Sequence, residues 1–424
     1  MKKFMNILVV GFALFSMFFG AGNLIFPPYL GVVSGSQWIK GFSGFILADI
    51  GLVIVVLMVM AKNHGDIDAI ASKGGRFFGT VLGFVIITCL GPLLAIPRTA
   101  ATTFEVGVQG ILPAANPVIS SIVFFLITLL LTIRPSKVVD IIGEFLTPAL
   151  LIALAVLIVK GIMSPIGTIG DPQIGDIFSN GVSQGYQTMD ALGALMLSFV
   201  VISSVKKKGY TKPKEIMKAT LYSGLIASIG LALVYGGLTY IGATTSTIYD
   251  SSIIQTELVI KLTETLLGSG GKVILGIIVA LACLTTSIGL VSSAASFYEK
   301  FFKGKVSYEK IVIVICIFSA IISNFGVSTI VNFSAPILEV IYPVTMVLVI
   351  FSGFSKKITN PNTYKGAAYI TLLVSLCNSA NTHGGNMPYV KALPFDNIGF
   401  NWIVPAIVGA IIGSLIKKKK SAAL

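Results

Sequence analysis

Ser16-Met17-Phe18-Phe19-Gly20-Ala21-Gly22-Asn23-Leu24-Ile25-Phe26-Pro27-Pro28 lies inside the first hydrophobic segment of this 424-residue chain. A helix that crosses a bilayer is not expected to carry Gly-x-Gly-Asn near its middle and two prolines just after. Glycine lowers the cost of unwinding, and each proline removes a backbone donor. Unwound backbone at membrane depth is tolerated only where it is buried in protein or lines a cavity. The segment therefore predicts two half-helices that meet at a binding site. Their ends leave free amides on one side, which suit a carboxylate, and free carbonyls on the other, which suit a cation. The competing reading is a kink for close helix packing. Asn23 together with Pro27 and Pro28 favours the break.

Hydrophobic residues make up 55% of the chain and charged residues 11%, against about 25% charged in soluble domains. This predicts an all-α polytopic membrane protein, with 1–424 as a single membrane domain. Lys2 and Lys3 precede the first apolar run, as in a signal peptide. The run is too long, and no small-residue cleavage site follows, so it is expected to be retained. Hydropathy divides the chain into about twelve spans. They cover 7–30, 41–61, 77–109, 117–133, 140–162, 182–203, 216–241, 273–297, 311–323, 329–353, 366–381 and 397–415.

The basic residues support that division. With the N-terminus inside, the inner loops hold Lys2 and Lys3, the run from Lys206 to Lys218, Lys300 to Lys310, and Lys417 to Lys420, with smaller groups such as Arg134 and Lys137. The outer loops hold only Lys40, Lys160, Lys261, Lys272 and Lys391. This alternation is the positive-inside pattern, and it places both termini in the cytoplasm. The net charge of +13 is then explained by orientation and by contact with anionic membrane lipid. Nucleic-acid binding is not expected, because the lysines are spread over short loops.

Metal and redox chemistry find little support. Cys89, Cys283, Cys316 and Cys377 lie in apolar segments without paired spacing. His64 and His383 stand alone and read as surface or packing residues. Gly268-Ser269-Gly270-Gly271-Lys272-Val273 fails as a phosphate loop, with Leu266 and Val273 at positions that need Gly and Ser/Thr. The run 251–267 has helical apolar spacing and reads as a short external helix. Trp38 and Trp402 fall at expected membrane interfaces.

Two further stretches carry chemistry. Gly185-Tyr186-Gln187-Thr188-Met189-Asp190-Ala191-Leu192-Gly193 brings polar, glycine-flanked residues into the sixth span. Paired interruptions in corresponding halves are the best sequence pointer to a transporter site. The alternative is a loop that enters the span. Ala282-Cys283-Leu284-Thr285-Thr286-Ser287-Ile288 places three adjacent hydroxyls in the eighth span. With carbonyls from a broken helix they supply the hard oxygens an alkali cation needs. Alone, they would read as interhelical hydrogen bonding.

The motifs Phe19 to Pro28, Gly91-Pro92-Leu93-Leu94-Ala95-Ile96-Pro97-Arg98-Thr99-Ala100 and Gly185 to Asp190 resemble the branched-chain amino acid carrier family of BrnQ type. More distantly, Gly20, Gly22, Asn23, Phe26 and Pro27, with Leu284 to Ile288, are similar to patterns in sodium-coupled transporters of LeuT type. The resemblance implies a five-plus-five inverted repeat with broken helices 1 and 6. The repeats would be 7–162 and 182–353, with two extra spans in 366–415. It implies a multi-pass importer of leucine, isoleucine and valine in the bacterial cytoplasmic membrane, with Na+ as coupling ion. The Na+ ligands would be the carbonyls of Ser16, Phe19 and Ala282 and the hydroxyls of Thr285 and Thr286, where Thr286 replaces a serine of the pattern. The substrate would contact Gly20, Ala21, Gly22, Asn23, Tyr186, Gln187, Thr188 and Asp190. No enzymatic activity, nucleic-acid partner or obligatory protein partner is implied.

Asp49, Arg98, Glu105, Glu144, Asp190 and Glu339 are ionisable groups inside spans, where charge is expensive and defaults to function. Arg98 and Glu105 are about two turns apart on one helix face. Arg98, Glu105 and Glu339 are candidates for gating or an internal charge network. Asp190 could meet a substrate ammonium or join Arg98. A proton-coupled symporter of the same or other small apolar amino acids is the main alternative. A channel lacks a continuous polar lining, and an enzyme lacks a catalytic cluster.

Overall fold

The computed structural model describes residues 2–63, 65–134, 144 and 146–416. His64, Lys137, Lys417 to Lys420 and the first residues of the fifth expected span, 140–143, lie outside the described residues. Among the described residues every regular element is helical. In chain order these are α1 (Lys2–Phe18), α2 (Ala21–Ser34), α3 (Trp38–Ile46), α4 (Leu52–Lys62), α5 (Arg76–Thr88), α6 (Ala95–Thr102), α7 (Pro117–Thr132) and α8 (Thr147–Met163). There follow α9 (Ile177–Thr188), α10 (Asp190–Lys207), α11 (Pro213–Ala243), α12 (Gln255–Leu267), α13 (Gly271–Phe301), α14 (Tyr308–Ser323), α15 (Val327–Gly353), α16 (Pro361–Thr382) and α17 (Ile403–Leu415). Among the described residues, six helical stretches are long and apolar enough to cross a membrane, including Arg76–Ile111, Ile177–Lys207 and Gly271–Phe301. The chain is an integral membrane protein.

Several limits differ from those read off the sequence. The first span was expected to break around Gly20 to Pro28. Instead the break is complete by Gly20, and Pro27 and Pro28 are buried inside α2, which continues to Ser34. A proline inside a helix frees the carbonyl four residues back. Here those carbonyls belong to Asn23 and Leu24, beside the break, so the prolines loosen its neighbourhood rather than end the helix. The stretch 397–402 was expected to begin the last span. It holds only a short 3-10 turn, Asp396–Ile398, and α17 starts at Ile403. The helix expected over 251–267 is confined to α12, with a turn over 251–253. Trp402 is buried within protein, edge-on to Phe400 at 6.1 Å, rather than displayed at an interface.

The second and third hydrophobic stretches are not uniform α-helices. A π-helical turn, Leu47–Gly51, joins α3 to α4 and carries Asp49. A second, Cys89–Leu93, contains Pro92 and a non-helical Gly91 (φ −83°, ψ −122°), which kink the chain between α5 and α6. A third, Thr103–Val108, carries Glu105. Such turns are often found at functional sites.

Glycines bring the key helices close. A methyl group at Gly242 would overlap the Pro28 carbonyl, and one at Gly31 would overlap the Thr239 carbonyl. So α2 crosses α11 backbone against backbone. Gly181 meets the Gly41 carbonyl in the same way, which seats α9 on α3. Without a hydrophobic force between helices in lipid, close van der Waals contact of this kind drives their association. These two crossings fix the half-helices whose ends form the site.

Candidate functional site

At the first break Phe19 and Gly20 separate α1 from α2, and Gly20 is extended (φ −116°, ψ −154°). In an unbroken helix the Gly20 amide would donate to the Ser16 carbonyl. It donates instead to Asn23 Oδ1 at 3.1 Å. The freed Ser16 carbonyl accepts from Thr285 Oγ1 at 2.7 Å and Thr286 Oγ1 at 3.4 Å. Thr285 Oγ1 is also 2.9 Å from the Ala282 carbonyl and accepts from Ser16 Oγ at 2.9 Å. Ser16 and Thr285 are fully buried. Five neutral oxygens therefore converge between α1 and α13. Carbonyl and hydroxyl oxygens at a half-helix end are a donor set that fits an alkali cation. Phe19 lies in the break itself, its ring stacked on Phe15 at 5.7 Å and near Tyr235 at 6.1 Å.

The second break is a single residue wide. Met189 separates α9 from α10 in the left-handed region (φ 69°, ψ 10°), which costs a non-glycine residue on the order of 1–3 kcal/mol. The carbonyls of Gln187 and Thr188, at the end of α9, accept from Arg98 Nη1 at 2.9 Å and Nη2 at 3.3 Å. A guanidinium suits the negative end of a helix. Arg98 comes from α6, is 3% exposed, and lies 5.8 Å from the Phe26 ring centre.

Asp190 opens α10, and its Oδ2 accepts from Asn23 Nδ2 at 2.7 Å and from the Tyr235 hydroxyl at 3.2 Å. Asn23 Nδ2 also donates to Tyr235 at 2.5 Å. Asn23 Nδ2 thus ties α2 to α10 and α11, while its Oδ1 holds the Gly20 amide at the break. Thr188 Oγ1 lies 3.2 Å from Asp49 Oδ1 and accepts from the Asp190 amide at 3.3 Å.

The two breaks face one narrow cavity of about 30 Å³, closed to little more than the size of a water. Gly20, Ala21, Asn23, Thr188, Asp190 and Thr286 line it, with Arg98. Leu90, Leu197 and Leu290 give it an apolar side. The first amides of α2 and of α10 are helix N-terminal donors without intrahelical partners. The amides are of the kind an anionic headgroup needs, and the three leucines of the kind an aliphatic chain needs.

The other expected residues fall around it. Gly22 stands behind the lining, where a methyl group would sit 2.9 Å from both Arg98 Nη2 and the Phe26 ring. Tyr186 is not among the residues that line the cavity and stacks on Tyr342 at 4.3 Å. Gln187 contributes its carbonyl to Arg98. Arg98 and Glu105 were expected on one helix face; Arg98 sits on α6 and Glu105 within the π-turn Thr103–Val108 that follows it. Glu105 Oε1 instead accepts from the Val327 amide at 2.7 Å and caps α15. Glu339 Oε2 is 3.5 Å from His383 Nε2, so this histidine has an acidic neighbour that the sequence did not suggest. Tyr235 was missed altogether. Asp49 was noticed only as an acid in an apolar span, and that is the signal that could have placed it.

Residues 3–420 match the family model described as branched-chain amino acid transport protein. The chain is 35% identical to the branched-chain amino acid permease BraB of Bacillus subtilis (strain 168), over 96% of this chain and 95% of that one. Among solved structures it is similar to a nucleobase-cation-symport-1 family transporter in a closed conformation with bromovinylhydantoin bound. The TM-score is 0.65 at 14% identity, covering 96% of this chain and 91% of that one. It is also similar to MhsT in complex with L-phenylalanine, with TM-score 0.56 at 15% identity, covering 96% and 98%. These likenesses give it the LeuT-type transporter fold. The chain belongs to the branched-chain amino acid transport protein family, a family of transporters rather than enzymes.

Proposed function

We propose that this protein imports leucine, isoleucine and valine by alternating access, coupled to Na+. The observation that carries the reading is the cluster of Ser16, Ala282, Thr285 and Thr286 oxygens at the break between α1 and α2. Sodium is a second substrate there, held by the carbonyls of Ser16, Phe19 and Ala282 and the two threonine hydroxyls. The amino acid carboxylate takes the amides at the start of α2, and the side chain takes the face formed by Leu90, Leu197 and Leu290. An apolar pocket separates substrates that differ by one methylene by only about 1–3 kcal/mol, which suits acceptance of all three.

Twelve spans in a five-plus-five repeat, 7–162 and 182–353, with 366–415 appended, are supported by the paired breaks at Gly20 and Met189. Cytoplasmic termini are supported by the lysine distribution. In the cycle, α1, α2, α3, α4, α9, α10 and α11 rock as one body against the remaining helices, and Arg98 crosses between the two bodies.

The test is uptake of labelled isoleucine into proteoliposomes under an inward sodium gradient, and separately under a proton gradient. Uptake that requires sodium is expected. Uptake driven by protons alone would replace the coupling ion, and no isoleucine uptake under either gradient would remove the substrate assignment.

A further inference from the structure

Asp49 belongs neither to the oxygen cluster nor to the lining of the central cavity. It sits on the π-turn Leu47–Gly51 with no exposed surface. Its Oδ1 is 3.2 Å from Thr188 Oγ1, and its Oδ2 is buried without a donor. Asp190, whose amide donates to the same Thr188 Oγ1 at 3.3 Å, is its acidic neighbour. Two ionised carboxylates are acceptors only and have no hydrogen to share. Held side by side away from water, they repel, and one of them takes up a proton.

The charge around the pair leads to the same result. Arg98, from α6, is the cation that acts on Asp190, and its guanidinium already serves the Gln187 and Thr188 carbonyls. The other titratable groups that face the cluster are Tyr235 of α11, Tyr342 of α15, Tyr186 of α9 and Cys283 of α13. All four are uncharged at neutral pH. Two acids therefore stand against one base, wholly inside the protein, and the shortfall is one positive charge.

We infer that Asp49 and Asp190 together form a binding site for one proton, occupied at neutral pH and separate from the sodium ligands. The proton lies between the two carboxyl groups, Asp190 keeps its bonds from Asn23 and Tyr235, and the cluster is neutral overall. On deprotonation one H+ leaves and two carboxylates face each other, which pushes the Leu47–Gly51 turn away from the start of α10. The consequence for transport, that uptake slows at alkaline pH, rests on the transport reading above. The protonation itself does not.

The test is infrared spectroscopy of the whole protein in liposomes, titrated with pH. The wild type is expected to show a carboxylic-acid C=O band at neutral pH that is lost as a single-proton step on raising the pH. Asp49→Asn is expected to lack that band, because the remaining Asp190 pairs with Arg98. Where Asp49→Asn does not fold, Asp49→Glu is expected to keep the band at a shifted frequency. No titrating band in the wild type, an undiminished band in Asp49→Asn, or an unshifted band in Asp49→Glu would each overturn the site. Isoleucine uptake by the same liposomes reports separately on the transport reading.

Discussion

Asn23 is the residue on which the two breaks depend together. Its carbonyl oxygen holds the Gly20 amide, and its amide nitrogen holds Asp190 and Tyr235. Asn23→Ala would leave buried polar groups unpaired, at about 1–3 kcal/mol for each group left without a partner. A drop of several degrees in the thermal midpoint of the purified protein is expected, with loss of isoleucine binding. Tyr235→Phe keeps the rings beside Phe19 and Phe45 and removes only the hydroxyl. It is expected to cost less than Asn23→Ala in the same melt. Gly20→Ala acts on the ion side, because its methyl group would sit 2.8 Å from Thr286 Oγ1. An increase of at least about tenfold in the sodium needed for half-maximal uptake is expected, equivalent to about 1.4 kcal/mol.

At the scale of elements, the sequence announced the first break through Gly20, Gly22 and Asn23, because their chemistry is local. The part played by Pro27 and Pro28 was not legible. Whether a proline ends a helix depends on what the surrounding helices supply, and here α11 packs against α2 backbone to backbone. The break in the sixth span was visible as polar content, but its confinement to Met189 was not, since a left-handed methionine has no sequence signal. The π-turns were equally hidden, and so was the capping of α15 by Glu105. Tyr235 is one tyrosine among thirteen, and only the fold brings it to Asp190. The crossing of α2 on α11 has its own test. Gly242→Ala would press a methyl group into the Pro28 carbonyl. Overpacking of this kind costs typically about 1–3 kcal/mol, to be seen as a lower thermal midpoint and, through the displaced α2, weaker isoleucine binding.

For the whole molecule, composition and charge alternation already indicated an integral membrane protein, because hydropathy sums over many residues and tolerates local error. The proposed orientation rests on the distribution of the lysines and has its own test. A single cysteine placed at Lys206 is expected to react with an impermeant thiol reagent only from the cytoplasmic side of membrane vesicles, and one at Lys391 only from outside. The reverse pattern would invert the topology. Lys300 pairs with Asp66 at 3.0 Å and Asp68 at 3.3 Å, tying the chain after α4 to the end of α13. These side chains are largely exposed, and such pairs are worth no more than about 1 kcal/mol. They do not hold the bundle together; the close backbone crossings at Gly31, Gly181 and Gly242 contribute more.

The central claim is that the break in the first span holds the coupling ion, and the most direct test is sodium-dependent binding of labelled isoleucine to the purified protein. Wild type, Thr285→Ser and Thr285→Ala would be titrated with sodium. The account predicts that Thr285→Ser stays close to the wild type, because the hydroxyl remains. Thr285→Ala is predicted to need at least about tenfold more sodium, which corresponds to about 1.4 kcal/mol, and to regain isoleucine binding at saturating sodium. Isoleucine binding that ignores sodium, or a Thr285→Ala titration superimposed on the wild type, would contradict it.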